Sequence, residues 1–208
     1  MEVSKEDSLS MIDLNGRRHF LKSGALTLGA PALLSAMQAS KAIKIGLVGC
    51  GGRGSGAASQ ALKADDFSNL TAMADVFQER IDESVARLKK IHGEKVKVES
   101  SSMYVGLDAY KKLIDSDIDV VLLATPPGFR PEQLRYAIEK GKHVFCEKPM
   151  AVDAPGLRHV METVKMARDK KLNLVAGFCW RYSNYIVETF DRIAQGQIGD
   201  LVSYYATY

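Results

Sequence analysis

Cysteine is scarce in this chain, with three in 208 residues, at positions 50, 146 and 179, and no CxxC pair among them. Dense, evenly paired cysteines are what a disulfide framework needs, and close thiol pairs are what a zinc site needs, so both classes are disfavoured. Each thiol stands in an apolar or glycine-rich context, and all three are expected to be buried core residues. HExxH is absent, and no metal site is expected. Also missing is any apolar run of the ~20 residues required to cross a bilayer. Charge of one sign is lacking as well: 28 lysines and arginines face 25 acids, a net charge of +3. The basic residues are interleaved with acids, as in QERIDESVARLKK (Gln78–Lys90), which reads as a solvated helix face and not as a nucleic-acid surface. Internal repeats and low-complexity tracts are absent too. With 46% hydrophobic and 25% charged residues the composition is that of globular protein. The length suits one full domain, or one domain and part of another.

The first 42 residues differ from the rest. GRRHFLK (Gly16–Lys22) places Arg17 and Arg18 before a moderately apolar, Gly- and Ala-rich stretch, Phe20–Met37. A positive region, a short apolar region and small residues beyond them match an export signal. The arrangement resembles a twin-arginine leader, with Gly16 where Ser or Thr is usual, and Ser40–Ala42 offers a cleavage site abutting the first strand. The expectation is an exported, periplasmic protein with no membrane attachment after leader removal. An amphipathic helix packed on the domain is the alternative, and would leave the protein cytoplasmic.

From Ile43 onward short apolar runs alternate with helical patterns, the mark of βαβ units. The expected fold is α/β, a Rossmann-type doubly wound parallel sheet. Strands are expected at Ile43–Gly49, Asn69–Asp75, Lys95–Val98, Asp119–Thr125, within His143–Pro149 together with its outgoing turn, and at Asn173–Trp180. Between them fall helices at Ser55–Ala64, around Ile81, Val85 and Leu88, at Ala109–Asp115 with Asp108 as cap, and between Pro131 and Gly141. Asp153 should cap a longer helix that turns Leu157, Val160, Met161, Val164 and Ala167 inward. A last helix carries Ile186, Phe190 and Ile193 and ends at Gly196. LVSYYATY (Leu201–Tyr208) has strand composition. A lone terminal strand is an exposed edge, so the chain is expected to be a fragment: a dinucleotide domain over 43–180, then the start of a truncated second α/β domain over 181–208.

Three stretches carry chemistry. In GLVGCGGRGSG (Gly46–Gly56), Gly49, Gly51 and Gly54 satisfy GxGxxG between a strand and a helix. These glycines permit a tight turn, close approach to a pyrophosphate and close helix packing. Gly52 and Arg53 complete the phosphate-facing loop, and the helix N-terminus adds free N–H groups. Asp75 closes the second strand 21 positions after Gly54, where a carboxylate accepts from ribose hydroxyls and repels a 2′-phosphate. NAD is therefore expected, and nearby Arg80 keeps NADP possible. In ATPPGFRPE (Ala124–Glu132), Thr125, Pro126 and Pro127 would wall the cofactor, with Arg130 reaching toward phosphate or substrate. In CEKPM (Cys146–Met150), Lys148 could hydrogen-bond a substrate hydroxyl while Glu147 orients it or holds the nicotinamide side. By spacing alone, Glu147 and Lys148 also fit a surface ion pair.

The glycine loop, Asp75, ATPP, EKP and FCWRY follow the order seen in Gfo/Idh/MocA oxidoreductases, and the chain resembles that family from Ile43 to Tyr208. The resemblance implies a nicotinamide-binding Rossmann domain followed by a substrate domain with an open sheet. It makes Lys148 the catalytic lysine and places Glu147, Thr125 and Arg181 around the nicotinamide. The loop PPGFRPE departs from the commoner Asn/His-containing form. The family's catalytic histidine belongs to the second domain, so this chain is expected to bind NAD weakly and turn nothing over. His19, His92, His143 and His159 are read as structural. The resemblance also implies a homo-oligomer in the full-length protein. The leading functional expectation is oxidation of a secondary alcohol on a sugar, polyol or glycoside. A redox-neutral NAD-dependent glycosidase and a non-catalytic sugar- or dinucleotide-binding module are the alternatives.

Overall fold

Strands buried on both faces read as continuous apolar runs, and IKIGLV is such a run. It forms β1 (Ile43–Val48), whose Leu47 and Val48 are both buried, on opposite faces of the sheet. The computed structural model describes residues 42–207. The leader motif at residues 16–22 lies outside them. After β1 come α1 (Gly52–Ala64), β2 (Ser68–Asp75), α2 (Gln78–His92), β3 (Met103–Val105), α3 (Ala109–Asp115) and β4 (Val120–Leu123). Then follow α4 (Arg130–Glu139), β5 (His143–Cys146), α5 (Ala154–Asp169), β6 (Leu174–Ala176) and α6 (Asn184–Ala194). All strand pairs are parallel, in the order β3-β2-β1-β4-β5-β6.

Side chains alternate across each strand, so the sheet buries two separate cores. Leu47, Leu70 and Met73 meet Leu62 of α1 and Ile81 and Leu88 of α2 on one face. Val48, Val121 and Leu123 meet Leu113 of α3, Leu134 and Ile138 of α4 and Val160 of α5 on the other. Burying each of these large side chains contributes about 2 kcal/mol. Together they set the register that brings all the strand carboxyl ends to one edge.

Several expectations need correction. Lys95–Val98 is not a strand: Val96 makes a single bridge to Leu70, and the third strand is Met103–Val105. Val96 and Val98 are nonetheless buried, so their alternation reflects packing without a hydrogen-bonded ladder. Asp108 stands at the start of α3 but gives it no side-chain cap, pairing with Lys111 at 2.8 Å instead. Asp153 does cap α5, accepting from the Gly156 N–H at 2.7 Å. On α5 the inward stripe is Val160, Thr163 and Ala167, with Val164 half-buried against the same core, while Leu157 and Met161 are exposed. Thr163 can face inward because its hydroxyl donates to the His159 carbonyl one turn back, at 2.8 Å. β6 stops at Ala176, and Cys179–Tyr182 is a short 3₁₀ turn. Cys179 is exposed, whereas Cys50 and Cys146 are buried. Residues 201–207 form no strand and pair with neither edge of the described sheet. α6 buries no residue; Phe190 is exposed, and Ile186 and Ile193 are half-buried.

Candidate functional site

The strand order reverses between β1 and β4, and a doubly wound sheet binds ligands in the crevice outside that point. A cleft of about 750 Å³ lies there, within the size range of small-molecule and cofactor sites.

The loop after β1 forms its floor. Gly49 has φ +93°, a conformation side chains resist, and its N–H donates to the Ala74 carbonyl at 2.8 Å. Gly54 is needed for closeness: a Cβ there would fall 1.8 Å from the Gly49 carbonyl oxygen. Gly54 therefore does not line the cleft but seats α1 on the loop. α1 starts at Gly52, three residues before the expected Ser55, and Gly51 brings no capping side chain. Helix geometry leaves the amides of Gly52, Arg53 and Gly54 without intrahelical acceptors, at the positive end of the dipole. Gly51, Gly52 and Arg53 all line the cleft. No atom lies within 4 Å of a Cβ built on Gly52.

Asp75, at the end of β2, is held by two backbone donors. Its Oδ2 accepts from the Cys50 N–H at 2.6 Å and its Oδ1 from the Phe77 N–H at 3.1 Å. Carboxylate oxygens keep further acceptor capacity, and Asp75 remains on the cleft wall. Arg80 also lines the cleft, with its guanidinium 5.7 Å from the Phe77 ring centroid.

Across the switch point, Thr125 donates to the Gln133 side-chain oxygen at 2.6 Å, and Pro126 lies beside it on the wall. Arg130 lines the cleft, but its guanidinium turns mainly to backbone. It is only 5% exposed, and Nε and Nη1 donate to backbone: Nε to the Thr125 carbonyl at 2.8 Å, Nη1 to the Glu147 and Pro149 carbonyls at 2.8 and 2.5 Å. Burial lowers its pKa below the ordinary arginine value. Its role is to tie the β4 and β5 loops together.

Glu147 is buried, and its Oε1 accepts from Arg53 Nε at 2.7 Å and Nη2 at 2.5 Å. Its ion-pair partner thus comes from the glycine loop, 94 residues earlier, so the surface-pair reading does not hold for Glu147. Lys148 is exposed and lines the cleft, with a cis bond to Pro149. Beneath it, burial pushes the Cys146 thiol up to about 12. Arg181 is not brought to the cleft: it is exposed in the 3₁₀ turn, 5.7 Å from the Phe178 ring centroid.

Phe77, Leu107, Tyr110, Phe129 and Gln133 line the cleft without having been singled out in the sequence. Phe77, Leu107 and Phe129 stay half or more exposed despite being large and apolar. Their signal was available, because an aromatic or leucine in a strand-end loop has no core to enter.

The arrangement fits a dinucleotide. Free amides stand where a pyrophosphate needs donors, a fixed carboxylate stands where a ribose needs an acceptor, and neither Gly51 nor Gly52 obstructs approach. A family model described as an oxidoreductase family with an NAD-binding Rossmann fold matches residues 43–178, about two thirds of the chain. The chain belongs to the Gfo/Idh/MocA oxidoreductase family.

Within this family, the chain is 30% identical over 160 residues to inositol 2-dehydrogenase 4 of Saccharopolyspora erythraea, covering 77% of this chain and 43% of that protein. It is 26% identical over 216 aligned positions to glycosyl hydrolase family 109 protein 2 of Shewanella sp. (strain ANA-3), covering 92% of this chain and 45% of that protein. Among solved structures it is similar to scyllo-inositol dehydrogenase from Lactobacillus casei with bound NAD(H) and scyllo-inositol. That match has 28% identity and a TM-score of 0.59 and covers 77% of this chain and 43% of the other. This Gfo/Idh/MocA chain thus spans a little under half the length of the relatives it matches.

Proposed function

We propose that the protein is an NAD-dependent oxidoreductase that acts on a secondary alcohol of a sugar, polyol or glycoside. One observation carries this reading: the glycine-loop amides and Asp75 line the same cleft as Lys148, on opposite sides of the β1/β4 switch. Inositol as substrate of two similar proteins supports the substrate class. When bound, the nicotinamide supplies the hydride acceptor. Asp75 accepts from the ribose hydroxyls and disfavours a 2′-phosphate, while the amides of α1 hold the pyrophosphate. Lys148 donates a hydrogen bond to the substrate hydroxyl oxygen, lowering its pKa and stabilising the developing alkoxide. Thr125 and Pro126 give the cofactor a rigid wall on the β4 side.

A second reading, redox-neutral glycoside cleavage, is favoured by a separate observation. Residues 43–208 make up about four fifths of the chain, so 92% coverage in the Shewanella glycosyl hydrolase match takes in part of the first 42 residues. The arginine-rich GRRHFLK motif lies in that region and serves, in this proposal, as a twin-arginine export signal. An exported dinucleotide enzyme has no pool to exchange with, so its cofactor would be held tightly and recycled within each turnover.

Titration calorimetry with NAD⁺ and NADP⁺ tests the cofactor assignment on this chain; tighter NAD⁺ binding is expected, and no binding of either overturns it. Activity is measured on the product of the full reading frame. Net NADH absorbance with inositols or sugars supports the dehydrogenase. Release of nitrophenol from nitrophenyl glycosides without net NADH supports the glycosidase. Dinucleotide binding with neither activity supports the binding module.

A further inference from the structure

The contact between Arg53 and Glu147 joins two parts of the cleft that the dinucleotide reading keeps apart. Arg53 sits in the first turn of α1, beside the proposed pyrophosphate site, and its side chain is 49% exposed. Glu147 directly follows β5, on the side of the switch point where the nicotinamide half of a dinucleotide would lie, and its side chain is 5% exposed. Two guanidinium nitrogens converge on a single oxygen, Oε1. Behind the carboxylate stands Gly177, just past β6, where a Cβ would come within 3.0–3.1 Å of Cδ, Oε1 and Oε2. The Gly177 N–H is already used on the Cys146 carbonyl at 2.8 Å. Arg130 lies close, but its Nε and Nη1 are bonded to backbone carbonyls. The carboxylate is therefore pinned from behind by backbone and held in front by Arg53.

A buried carboxylate beside a nicotinamide acts differently on its two redox states. The oxidised ring is cationic and the reduced ring is neutral, so an uncompensated anion stabilises only the oxidised form. We propose that Arg53 is a positioning and charge-balancing residue: by pairing with Glu147 it lets the cleft hold the oxidised and reduced dinucleotide with comparable affinity. This rests on the dinucleotide reading above. It also gives that reading a physical basis for recycling, since an enzyme that keeps its cofactor through a redox cycle must not release either state.

The test compares dissociation constants for NAD⁺ and NADH at pH 8, by calorimetry and by nicotinamide fluorescence, in wild type, R53Q, R53K and E147Q. In R53Q the ratio Kd(NAD⁺)/Kd(NADH) should fall about tenfold, because Glu147 loses the guanidinium bonded to it and keeps only the more distant charge of Arg130. In E147Q it should rise about tenfold, because Arg53 is then unpaired. R53K keeps the charge and should return most of the way to the wild-type ratio. Loss of a phosphate contact or loosening of the loop weakens both states together and leaves the ratio unchanged. Ratios within about twofold of wild type in both R53Q and E147Q overturn the charge-balancing role alone. Failure of wild type to bind either state overturns the dinucleotide reading itself. Circular dichroism identifies a misfolded R53Q, in which case the E147Q ratio decides.

Discussion

Gly49 and Gly54 shape the β1 side of the cleft through backbone geometry, whereas two arginines reaching between loops hold the β4–β5 side. On the first side the essential feature is the absence of atoms: no Cβ at Gly54, where the helix lies against the loop, and open amides at its N-terminus. On the second side, Arg130 ties Thr125 to Glu147 and Pro149, and Arg53 crosses to the Glu147 carboxylate. Where backbone packs directly on backbone, as at Gly54, almost no added volume is tolerated. A side-chain-built surface should respond in steps, according to how many bonds the replacement keeps.

Substitutions on the two sides can break or sharpen this contrast. The largest effect is expected at Gly54→Ala, whose methyl meets the Gly49 carbonyl. Stability in urea should drop by about 3 kcal/mol, and dinucleotide binding should be lost. Gly52→Ala, with nothing within 4 Å of the added carbon, should fold and melt like wild type; equal damage at 52 and 54 would refute the backbone account. Next comes Arg130→Met, which leaves three loop carbonyls without their donor and should cost about 2–3 kcal/mol in the same measurement. Arg130→Lys should recover part of that, because one ammonium cannot reproduce the fork that spans both loops.

Asp75→Asn leaves the fold intact but removes the anion that receives the Cys50 N–H. NAD⁺ should bind about tenfold more weakly, and the preference against NADP⁺ should shrink; calorimetry with both cofactors reads the two changes. The smallest effects concern the thiols. In the folded protein a thiol reagent should modify Cys179 alone, with Cys50 and Cys146 reacting only after unfolding. Cys146 keeps its proton in the fold up to about pH 12, while an unfolded thiol loses it near 8.5. Below that pH the group contributes nothing to pH dependence. Above it the unfolded chain ionises first, so stability falls as pH rises toward 12. Urea melts at pH 8 and pH 10 should show this loss, and Cys146→Ala should reduce it.

Much of the β1 side was legible in the residues. Glycine at 49, 51 and 54 between an apolar run and a helix states what the backbone must do there, and Asp75 marks the strand end. The β4–β5 side was legible only as a location. Arg130 has the composition of a ligand-binding residue and becomes a buried clamp, because three carbonyls from two loops converge on it. Arg181 carries a family motif but lies in a turn away from the cleft. Lys95–Val98 alternates like a strand, yet Met103–Val105 takes the ladder position beside β2. Leu157 and Met161 fit a helical stripe, and Thr163 displaced that stripe by satisfying its hydroxyl within the helix.

The sequence by itself determined the parallel sheet, its two helical layers and the glycine turn, because apolar periodicity and missing side chains act locally. Tertiary structure alone decided which charges meet. Arg53 and Glu147 are 94 residues apart and pair only because β1 and β5 end at the same edge. The value of a charge depends on what stands opposite it once water is excluded. No local pattern encodes that, so the strand order had to be assembled before either residue acquired its role.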